Sequence, residues 1–404
     1  MINVRGGVPK TSNGDSWERT WGTGIDNEWC NDLVLDSSNN SYITGHTNSS
    51  SVNGWEILLL KFNSSGDLQW NKTWGGSDHD QGLEIRLDSA NNIFVAGTST
   101  SFGAGDRDII LVKFDNLGIY QWHRTWGGTA HEWSCDMVLD SSDNIYLTGS
   151  TRSFGPDNDV FIIKYNNSGD LEYEVTWGGI GEDFTTETAL DNFGNIFIAG
   201  NIETYAFEDI TVVKFNNMGQ YQWHQSWGGS DWDRVESLAI DSLNNLYVAG
   251  SFYSYNSEIG LVKFNSSGHA EWYRTWSKDY GYVNDLTVDT NDNIYLSGGY
   301  KNDMFFAKYE STGSLLDYCI WGSGLDESAY GIEVDSLSNI YVAGVIDITG
   351  NWQHDVILFK NPQSCKSLKA PNIVGYLFPF IVTITGITIT LLVKINKDKI
   401  LKKT

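Results

Sequence analysis

The chain repeats one pattern of apolar and polar residues seven times. Each copy opens on Thr-Trp-Gly-Gly or a close variant. An apolar run ending in Asp follows, then a short polar turn and a second apolar run. The intervals between the tryptophans of this phrase shrink from 53 to 45 residues. These tryptophans are Trp21, Trp74, Trp126, Trp177, Trp227, Trp276 and Trp321. A period of about 50 residues with several short strands per copy is typical of a β-propeller, not of a helical solenoid.

The second copy shows how one repeat forms one blade. Its apolar runs predict strands at 85–87, 93–98 and 109–114, and a fourth strand at 120–126. Asn and Gly occupy the turns between these strands, where the backbone often needs a positive φ. Four short antiparallel strands make the blade of a propeller.

The two ends of the repeat array predict how the ring closes. The last copy has a third apolar run at 355–360 but nothing that resembles a fourth strand. Residues 14–21, Gly-Asp-Ser-Trp-Glu-Arg-Thr-Trp, match the fourth strands of other copies and have no strands before them. We therefore expect an all-β, seven-bladed β-propeller whose N-terminal strand completes the last blade, because such closure removes exposed sheet edges.

The repeated motif resembles a known family. The pattern WGG…(L/I)xxDSxxNIYVAG…DxxLVKFNxSGxxxW recurs over roughly residues 14–361. It is similar to the SBBP-type β-propeller repeats of microbial cell-surface proteins. The resemblance implies a propeller that is extracellular or attached to the cell surface, and it implies no particular ligand. The sixth copy departs most from the pattern, with Asp317 where other copies have Trp or Tyr.

A run of 21 uncharged residues follows the repeats at 373–393. As a helix this run would be about 30 Å long, which matches the hydrocarbon core of a bilayer. Five lysines lie in the segment 394–404 behind it. By the positive-inside rule we expect one C-terminal transmembrane helix at 373–393, a basic cytoplasmic tail at 394–404 and a propeller outside the cell.

Around these elements the chain divides into an N-terminal extension at 1–13, the propeller at 14–361 and a juxtamembrane linker at 362–372. The first residues hold no apolar stretch of the kind found in signal peptides, so we expect a leader to precede this sequence. The alternative is insertion through the C-terminal span alone, which would put the propeller in the cytoplasm, against the placement of the lysines. Six Asn-x-Ser/Thr sequons favour an outside location. They begin at Asn39, Asn48, Asn63, Asn71, Asn166 and Asn265.

The charge of the chain narrows the classes of partner. The 404 residues carry a net charge of −25, and the part before residue 373 carries 21 basic and 50 acidic residues, a net charge of −29. Such a surface repels nucleic acid and offers no basic patch, so we expect no nucleic-acid partner. It suits solubility outside a cell, cationic partners or loosely bound Ca²⁺.

The four cysteines are Cys30, Cys135, Cys319 and Cys365, and they include no Cys-x-x-Cys pair. Neither a zinc site nor a thioredoxin-like redox motif is therefore predicted. Cys319 lies on the outer strand of the sixth copy and Cys365 just after the last strand, which brings a disulfide between them within reach.

The loops after the Trp-Gly-Gly phrases supply the candidate ligand-binding residues. Each loop joins one blade to the next near the channel mouth, and nearly all of them carry carboxylates beside aromatic residues. Such side chains can hold cations or stack on sugars. The alternative is that the carboxylates cap backbone N–H groups in tight turns. The candidates are Asp26, Glu28, Trp29, Asp78, Asp80, Glu132, Trp133, Glu182, Asp183, Asp231, Trp232, Asp233, Asp279 and Asp326, accompanied by Phe184, Tyr282 and Tyr330.

Other motifs are better explained by a structural role than by metal binding or catalysis. Residues 289–293, Asp-Thr-Asn-Asp-Asn, match the opening of a calcium loop but lack its Gly and distal Glu, which favours a hairpin turn. Paired tryptophans on fourth strands, such as Trp70 with Trp74, are expected to pack blade against blade. The chain has no metal-ligand spacing, no nucleophile elbow and no P-loop, so we predict no catalytic residue, metal site or cofactor.

Together these features predict a membrane-anchored cell-surface propeller that acts as a binding or interaction module. Its partner would be an unknown surface protein or a glycan. Two alternatives stay open. One is an extracellular polysaccharide hydrolase or lyase with its site at the channel mouth, and the other is a structural component of the cell envelope.

Overall fold

The computed structural model of the protein is an all-β, seven-bladed β-propeller, which confirms the predicted fold class. It describes residues 3–6, 16–22, 26–49, 54–179, 181–202, 210–228, 233–252, 258–276, 281–322, 325–347, 350, 353–362, 374–377, 382–384 and 387–389. Each blade is an antiparallel sheet whose strands are adjacent in chain order.

The first and second strands of the blades form the inner part of the ring. The first strands are β3 Glu28–Leu35, β7 Asp80–Leu87, β11 Glu132–Leu139, β15 Asp183–Leu190, β19 Asp233–Ile240, β23 Gly281–Val288 and β27 Glu327–Val334. The second strands are β4 Ser41–Thr47, β8 Ile93–Ser99, β12 Ile145–Thr151, β16 Ile196–Ile202, β20 Leu246–Phe252, β24 Ile294–Tyr300 and β28 Ile340–Asp347.

The third and fourth strands form the outer part. The third strands are β5 Glu56–Phe62, β9 Asp108–Phe114, β13 Asp159–Tyr165, β17 Ile210–Phe215, β21 Glu258–Phe264, β25 Asp303–Tyr309 and β29 His354–Lys360. The fourth strands are β6 Leu68–Trp74, β10 Tyr120–Trp126, β14 Leu171–Trp177, β18 Tyr221–Trp227, β22 Ala270–Trp276, β26 Leu315–Trp321 and, for blade 7, β2 Trp17–Gly22.

Blade 7 is built from both ends of the repeat array, as the sequence predicts. Strand β2 pairs antiparallel with β29, with Trp17 opposite Lys360 and Trp21 opposite Val356. Outside β2 lies a further strand, β1 Asn3–Gly6, which pairs with it. Arg19 on β2 donates from Nε to the Gly66 carbonyl of blade 1 at 2.8 Å. Strand β2 therefore reaches its neighbouring blade as an ordinary fourth strand does.

The core consists of apolar clusters between neighbouring blades. Seven such clusters are found among the described residues, and each contains side chains from two adjacent blades. The fourth-strand tryptophans join this packing. Trp74 of blade 1 stacks on Tyr120 of blade 2, with ring centroids 5.9 Å apart, and contacts His123 at 5.3 Å. Packing of blade against blade is thus the role of these tryptophans.

An Asp residue organises the turn between first and second strands. In blade 1, Asp36 Oδ1 accepts the N–H groups of Ser38 and Asn40, each at 2.9 Å, and the fourth residue of the turn, Asn39, has a φ of 59°. Asn and Asp adopt this left-handed conformation at lower cost than most other residues. Asp289 makes the same two bonds, so the calcium-like segment 289–293 is a hairpin turn.

The same turns connect neighbouring blades. Asp143 in blade 3 accepts the N–H of Ser89 in blade 2 at 3.0 Å and its hydroxyl at 2.6 Å. Asp292 in blade 6 accepts the same pair of donors from Ser242 in blade 5, both at 2.9 Å. The repeated Asn or Asp of the turn therefore has two roles, a left-handed backbone and a bond to the preceding blade.

Three short strands lie within the C-terminal segment. Strand β30 Val374–Leu377 pairs with the fourth strand of blade 5, and β31 Val382–Ile384 pairs with β32 Ile387–Ile389. The described part of the chain contains no helix of a length and hydropathy suited to crossing a bilayer. The rest of the segment 373–393 and the tail 394–404 lie outside the described residues.

Cys319 is disulfide-bonded, whereas Cys30 is buried as a free thiol.

Closure of blade 7 can be tested by truncation. Deleting residues 1–22 removes β2, exposes the edge of β29 and uncovers the apolar cluster that contains Trp21. We expect the melting temperature to fall sharply or the protein not to fold. Deleting residues 1–15 is the matched control, because it removes β1 and leaves four strands in blade 7. Equal melting temperatures for the two truncated proteins would contradict closure by β2.

Candidate functional site

The first strands form the wall of the central channel. Each first strand contacts the first strands of both neighbouring blades around the whole ring. All seven begin at the end of the ring where the Trp-Gly-Gly loops join the blades. This end is called the mouth below. The sequence-predicted candidate residues that the structure describes belong to the mouth, since they lie in these loops or at the start of the first strands.

The first residue of six first strands is a buried carboxylate. Asp80, fully buried, shows what this residue does: its oxygens accept the N–H of Gly76 at 2.7 Å and the hydroxyls of Ser99 at 2.5 Å and Ser101 at 2.8 Å. These are the bonds expected of a turn cap. The six residues are Glu28, Asp80, Glu132, Asp183, Asp233 and Glu327.

The remaining acidic candidates lie nearer the surface. Asp78 is exposed, and Asp26 and Asp326 are half-buried. Glu182 forms an ion pair with Arg152 at 2.5 Å. The candidates Asp231, Trp232 and Asp279 lie outside the described residues.

Aromatic and histidine side chains group around Trp29 at one side of the mouth. The Trp29 ring lies 4.7 Å from that of His354, 6.0 Å from His46 and 6.3 Å from Tyr330. His46 also meets Trp55 edge-on at 4.8 Å. Burial, with His79 adding repulsion, lowers the pKa of His46 to about 4, so its imidazole is neutral at pH 7.

Further aromatic residues continue around the ring at the second position of the first strands. Trp133 is half-buried, with the Arg152 guanidinium 5.8 Å from its ring centroid. Phe184 and Tyr282 are 38% and 41% exposed. With Trp29 these residues form what is called the aromatic rim: Trp29, Trp133, Phe184 and Tyr282.

Carboxylates also line the channel below the mouth, at the fifth position of the first strands. Asp136 accepts the N–H of Met137 in its own strand at 2.6 Å and that of Thr188 in the next blade at 2.5 Å. Asp32 bonds Leu33 and Ile85 in the same way, and Asp285 bonds Leu286 and Ile332. These aspartates therefore join neighbouring first strands.

In a second group of channel carboxylates, burial disfavours the charged form and raises the pKa. Burial raises the pKa of Glu333 to about 8, with repulsion from Asp285 adding to it, and burial raises that of Glu236 to about 7. The pKa values of Glu84 and Glu187 also rise, again because of burial first. Arg86 pairs with Asp32 at 2.5 Å and Glu84 at 3.0 Å, and Arg234 pairs with Glu236 at 2.8 Å.

The channel and its mouth therefore combine an aromatic rim with an acidic interior. Such a surface attracts cations and presents ring faces that stack on sugars or on cationic groups. Within the described part of the chain, no three His, Cys, Asp or Glu side chains are arranged to hold one metal ion.

The channel carboxylates and Arg86 are absent from the sequence-predicted site. A signal for them exists, because the fifth position of the first strand is Asp or Glu in five of the seven copies. It is easily missed, since this position immediately precedes the apolar run that defines the repeat. His46 and His354 have no counterpart in the other copies and carry no sequence signal.

Comparison with known proteins supports the fold. No family model matches the chain. Regulatory protein FlaEY of Caulobacter vibrioides is 26% identical over 110 residues, and an uncharacterized WD repeat-containing protein of Acanthamoeba polyphaga mimivirus is 21% identical over 183 residues. These matches cover 24% and 33% of this chain but only 12% and 13% of those two proteins.

Solved structures resemble the chain over most of its length. A catalytically inactive virginiamycin B lyase from Staphylococcus aureus has a TM-score of 0.57 at 9% identity, covering 86% of this chain and 99% of that one. An ulvan lyase, described as a new family of polysaccharide lyase, has a TM-score of 0.54 at 12% identity, covering 89% and 96%. The WD40 domain of Neurospora crassa Pan2 has a TM-score of 0.52 at 8% identity, covering 84% and 91%. At such identities the likeness concerns the fold alone.

The raised pKa of Glu333 predicts a pH-dependent effect of its removal. The unfolded chain releases this proton near pH 4.5 and the folded protein near pH 8, so the free energy of unfolding falls as pH rises between these values. Glu333→Gln removes this loss. We expect the change that Glu333→Gln makes in the free energy of unfolding to be more stabilising at pH 9 than at pH 5, by about 1–3 kcal/mol.

Urea unfolding at the two pH values measures this difference. Glu310→Gln is the control, because Glu310 is an exposed glutamate in a hairpin turn. An equal effect of Glu333→Gln at pH 5 and pH 9 would show that Glu333 is not held protonated by the channel.

Proposed function

We propose that the protein is a membrane-anchored cell-surface propeller that recognises a glycan or a surface protein at its mouth. The observation that carries the proposal is the aromatic rim. Phe184 and Tyr282 leave 38% and 41% of their surface exposed next to the channel. Large apolar side chains that stay exposed in a concave region indicate a binding surface.

The rim differs from the structural aromatic residues of the repeat. The tyrosine or phenylalanine at the second position of the second strand, such as Tyr42 and Phe94, is buried in all seven copies. The second position of the first strand instead changes from copy to copy: Trp29, Gln81, Trp133, Phe184, Arg234, Tyr282 and Ser328. A residue needed for the fold would recur, so variation at this position, which is exposed in Phe184, Arg234 and Tyr282, favours recognition.

The rim and the channel suit two kinds of ligand group. Sugar rings stack on aromatic faces, and cationic groups are attracted both by these faces and by the carboxylates beneath them. A cationic ligand would bind more weakly as salt rises, whereas a neutral sugar would be nearly insensitive to salt. Salt dependence therefore distinguishes the two classes once a ligand is found.

The surface location is part of the proposal. The similarity of the repeats to SBBP-type propellers supports it, as do the uncharged run at 373–393 and the lysines that follow it. The disulfide of Cys319 also supports it, because disulfides persist mainly in oxidising compartments outside the cytosol. By the positive-inside rule the propeller would be extracellular and the C-terminus cytoplasmic.

Recognition at the mouth can be tested with variants at both ends of the ring. Phe184→Ala combined with Tyr282→Ala removes two exposed rim rings and should weaken binding at least tenfold, measured on a glycan array and a panel of basic peptides. Phe193→Ala is the matched control, since Phe193 is 75% exposed in a hairpin turn at the opposite end of blade 4. Loss of binding in the control, with full binding in the double variant, would place the site elsewhere.

The orientation and the anchor can be tested on intact cells. Added protease should remove the propeller and leave a short membrane-embedded fragment, because the proposed anchor segment at 373–393 holds the propeller outside. Full protection of the propeller would contradict the orientation. Release of the protein by a carbonate wash would contradict the anchor.

A further inference from the structure

Large apolar side chains are exposed at the end of the ring opposite the mouth. The turns between first and second strands and between third and fourth strands lie at this end, which is called the base below. In blade 4, Phe193 and Met218 are 75% and 61% exposed, and in blade 5 Leu243 is 72% exposed. These three residues are called the base patch.

The three turns that carry the base patch are in contact with one another. The Asn192 N–H donates to Asn244 Oδ1 at 3.0 Å, which joins the first turn of blade 4 to the first turn of blade 5. A Cβ atom on Gly194 would lie 3.6 Å from the Cβ of Asn217, which places the two turns of blade 4 side by side. Single exposed apolar residues are common on protein surfaces, whereas a group of neighbours indicates an interaction site.

The fold does not require apolar residues at these positions. The residue equivalent to Phe193 and Leu243 is Ser38 in blade 1 and Ser142 in blade 3, and the residue equivalent to Met218 is serine in blades 1, 3 and 5. The first turn keeps its Asp-capped N–H with serine as with phenylalanine, each bond measuring 2.9 Å. The base patch therefore adds something that the turns themselves do not need.

Charge is missing from the same part of the base. The turn between third and fourth strands ends in an exposed aspartate in two blades, Asp67 in blade 1 and Asp170 in blade 3. Blade 4 has Gln220 at this position, and blade 5 has His269. Carboxylates lose hydration when they approach lipid, so a turn surface without them suits a bilayer. The turn segments of blades 4 and 5 that contain no Asp, Glu, Lys or Arg are 192–195, 216–220, 242–245 and 266–269.

The route of the chain leads the uncharged run toward the base of blade 5. Strand β30 pairs antiparallel with β22, from Val374 opposite Thr275 to Leu377 opposite Trp272. Because β22 runs from the base to the mouth end, β30 runs toward the base. The rest of the uncharged run at 373–393 follows Leu377 in the sequence. The hydrophobic segment and the base patch thus share one side of the ring.

We propose that the base patch lies on a lipid bilayer, with its three side chains among the headgroups, so that the mouth faces away from the membrane. The inference rests on the location at a membrane proposed above. Phenylalanine and leucine side chains favour the boundary between headgroups and acyl chains. A bilayer is fluid and adapts to side chains that project from turns, whereas a protein partner needs a matching pocket for each of them.

The full-length protein in phosphatidylcholine vesicles tests the lipid contact. A spin label is attached at Phe193→Cys or Leu243→Cys, and at Phe154→Cys as the matched control, since Phe154 is an exposed aromatic residue at the mouth end. Protein without an added cysteine gives the background. Oxygen concentrates in lipid and a nickel chelate stays in water. We expect the ratio of oxygen to nickel collision rates at the base to exceed that at the control position at least about threefold.

A serine variant of the base patch shows whether these side chains make the contact. Phe193→Ser, Met218→Ser and Leu243→Ser are combined, and the label is attached at Ser266→Cys, in an exposed turn at the base of blade 5. The collision ratio at this position should fall at least about twofold relative to protein with the intact patch. The melting temperature should stay the same, because serine occupies the equivalent positions of other blades. Phe154→Ser is the control and should leave the ratio unchanged.

Other outcomes would overturn the proposal. Labels at the base that the nickel chelate reaches as easily as the control label would show that the patch lies in water, as would an unchanged ratio in the serine variant. Labels shielded from both reagents, more so at higher protein-to-lipid ratios, would show that a second copy covers the patch. A carbonate wash of the same vesicles tests the anchor separately. Retained protein with labels in water would contradict only the lipid contact, and released protein whose labels had faced lipid would contradict only the anchor.

Discussion

The structure depends on the burial of each blade's apolar faces against its two neighbours. A blade has two faces and four strands, and alone it would leave both faces in water. The apolar clusters lie between blades, as where Ile57 and Leu59 of blade 1 pack with Ile85 and Val95 of blade 2. Each blade is therefore stable only as part of the ring, and every junction, including the last one closed by β2, must be filled.

Sequence reasoning predicts the parts of the fold that depend on local pattern. The spacing of the Trp-Gly-Gly phrases gives the number of blades, and the apolar runs give their strands. The unmatched Trp-rich segment at 14–21 gives the closure, because it has a fourth-strand pattern without the strands that should precede it. These features are local or periodic, and each repeats often enough to stand out from chance.

The channel could not be predicted in the same way because it exists only in the assembled ring. Arg86 stands in one copy where most others have a small or aliphatic residue, and its partner Asp32 lies in the neighbouring blade. The candidate carboxylates at the mouth are visible in the sequence, but their roles cannot be told apart there. Asp80 and Asp78 are two residues apart and look alike in the sequence, yet one is fully buried with three donors and the other is exposed. The number of donors that reach a carboxylate depends on the second strand and on the next blade.

The position of β2 has a consequence for the synthesis of the chain. Trp17 emerges from the ribosome first, but its partner Lys360 is among the last residues of the propeller to be made. The edge of β2 that pairs with β29 must therefore stay unpaired while nearly all of the repeats are translated. Contacts of such high sequence separation slow folding and leave strand edges exposed in the intermediates. Closure of the ring is thus a late event, and nascent chains of this kind depend on protection from aggregation until it occurs.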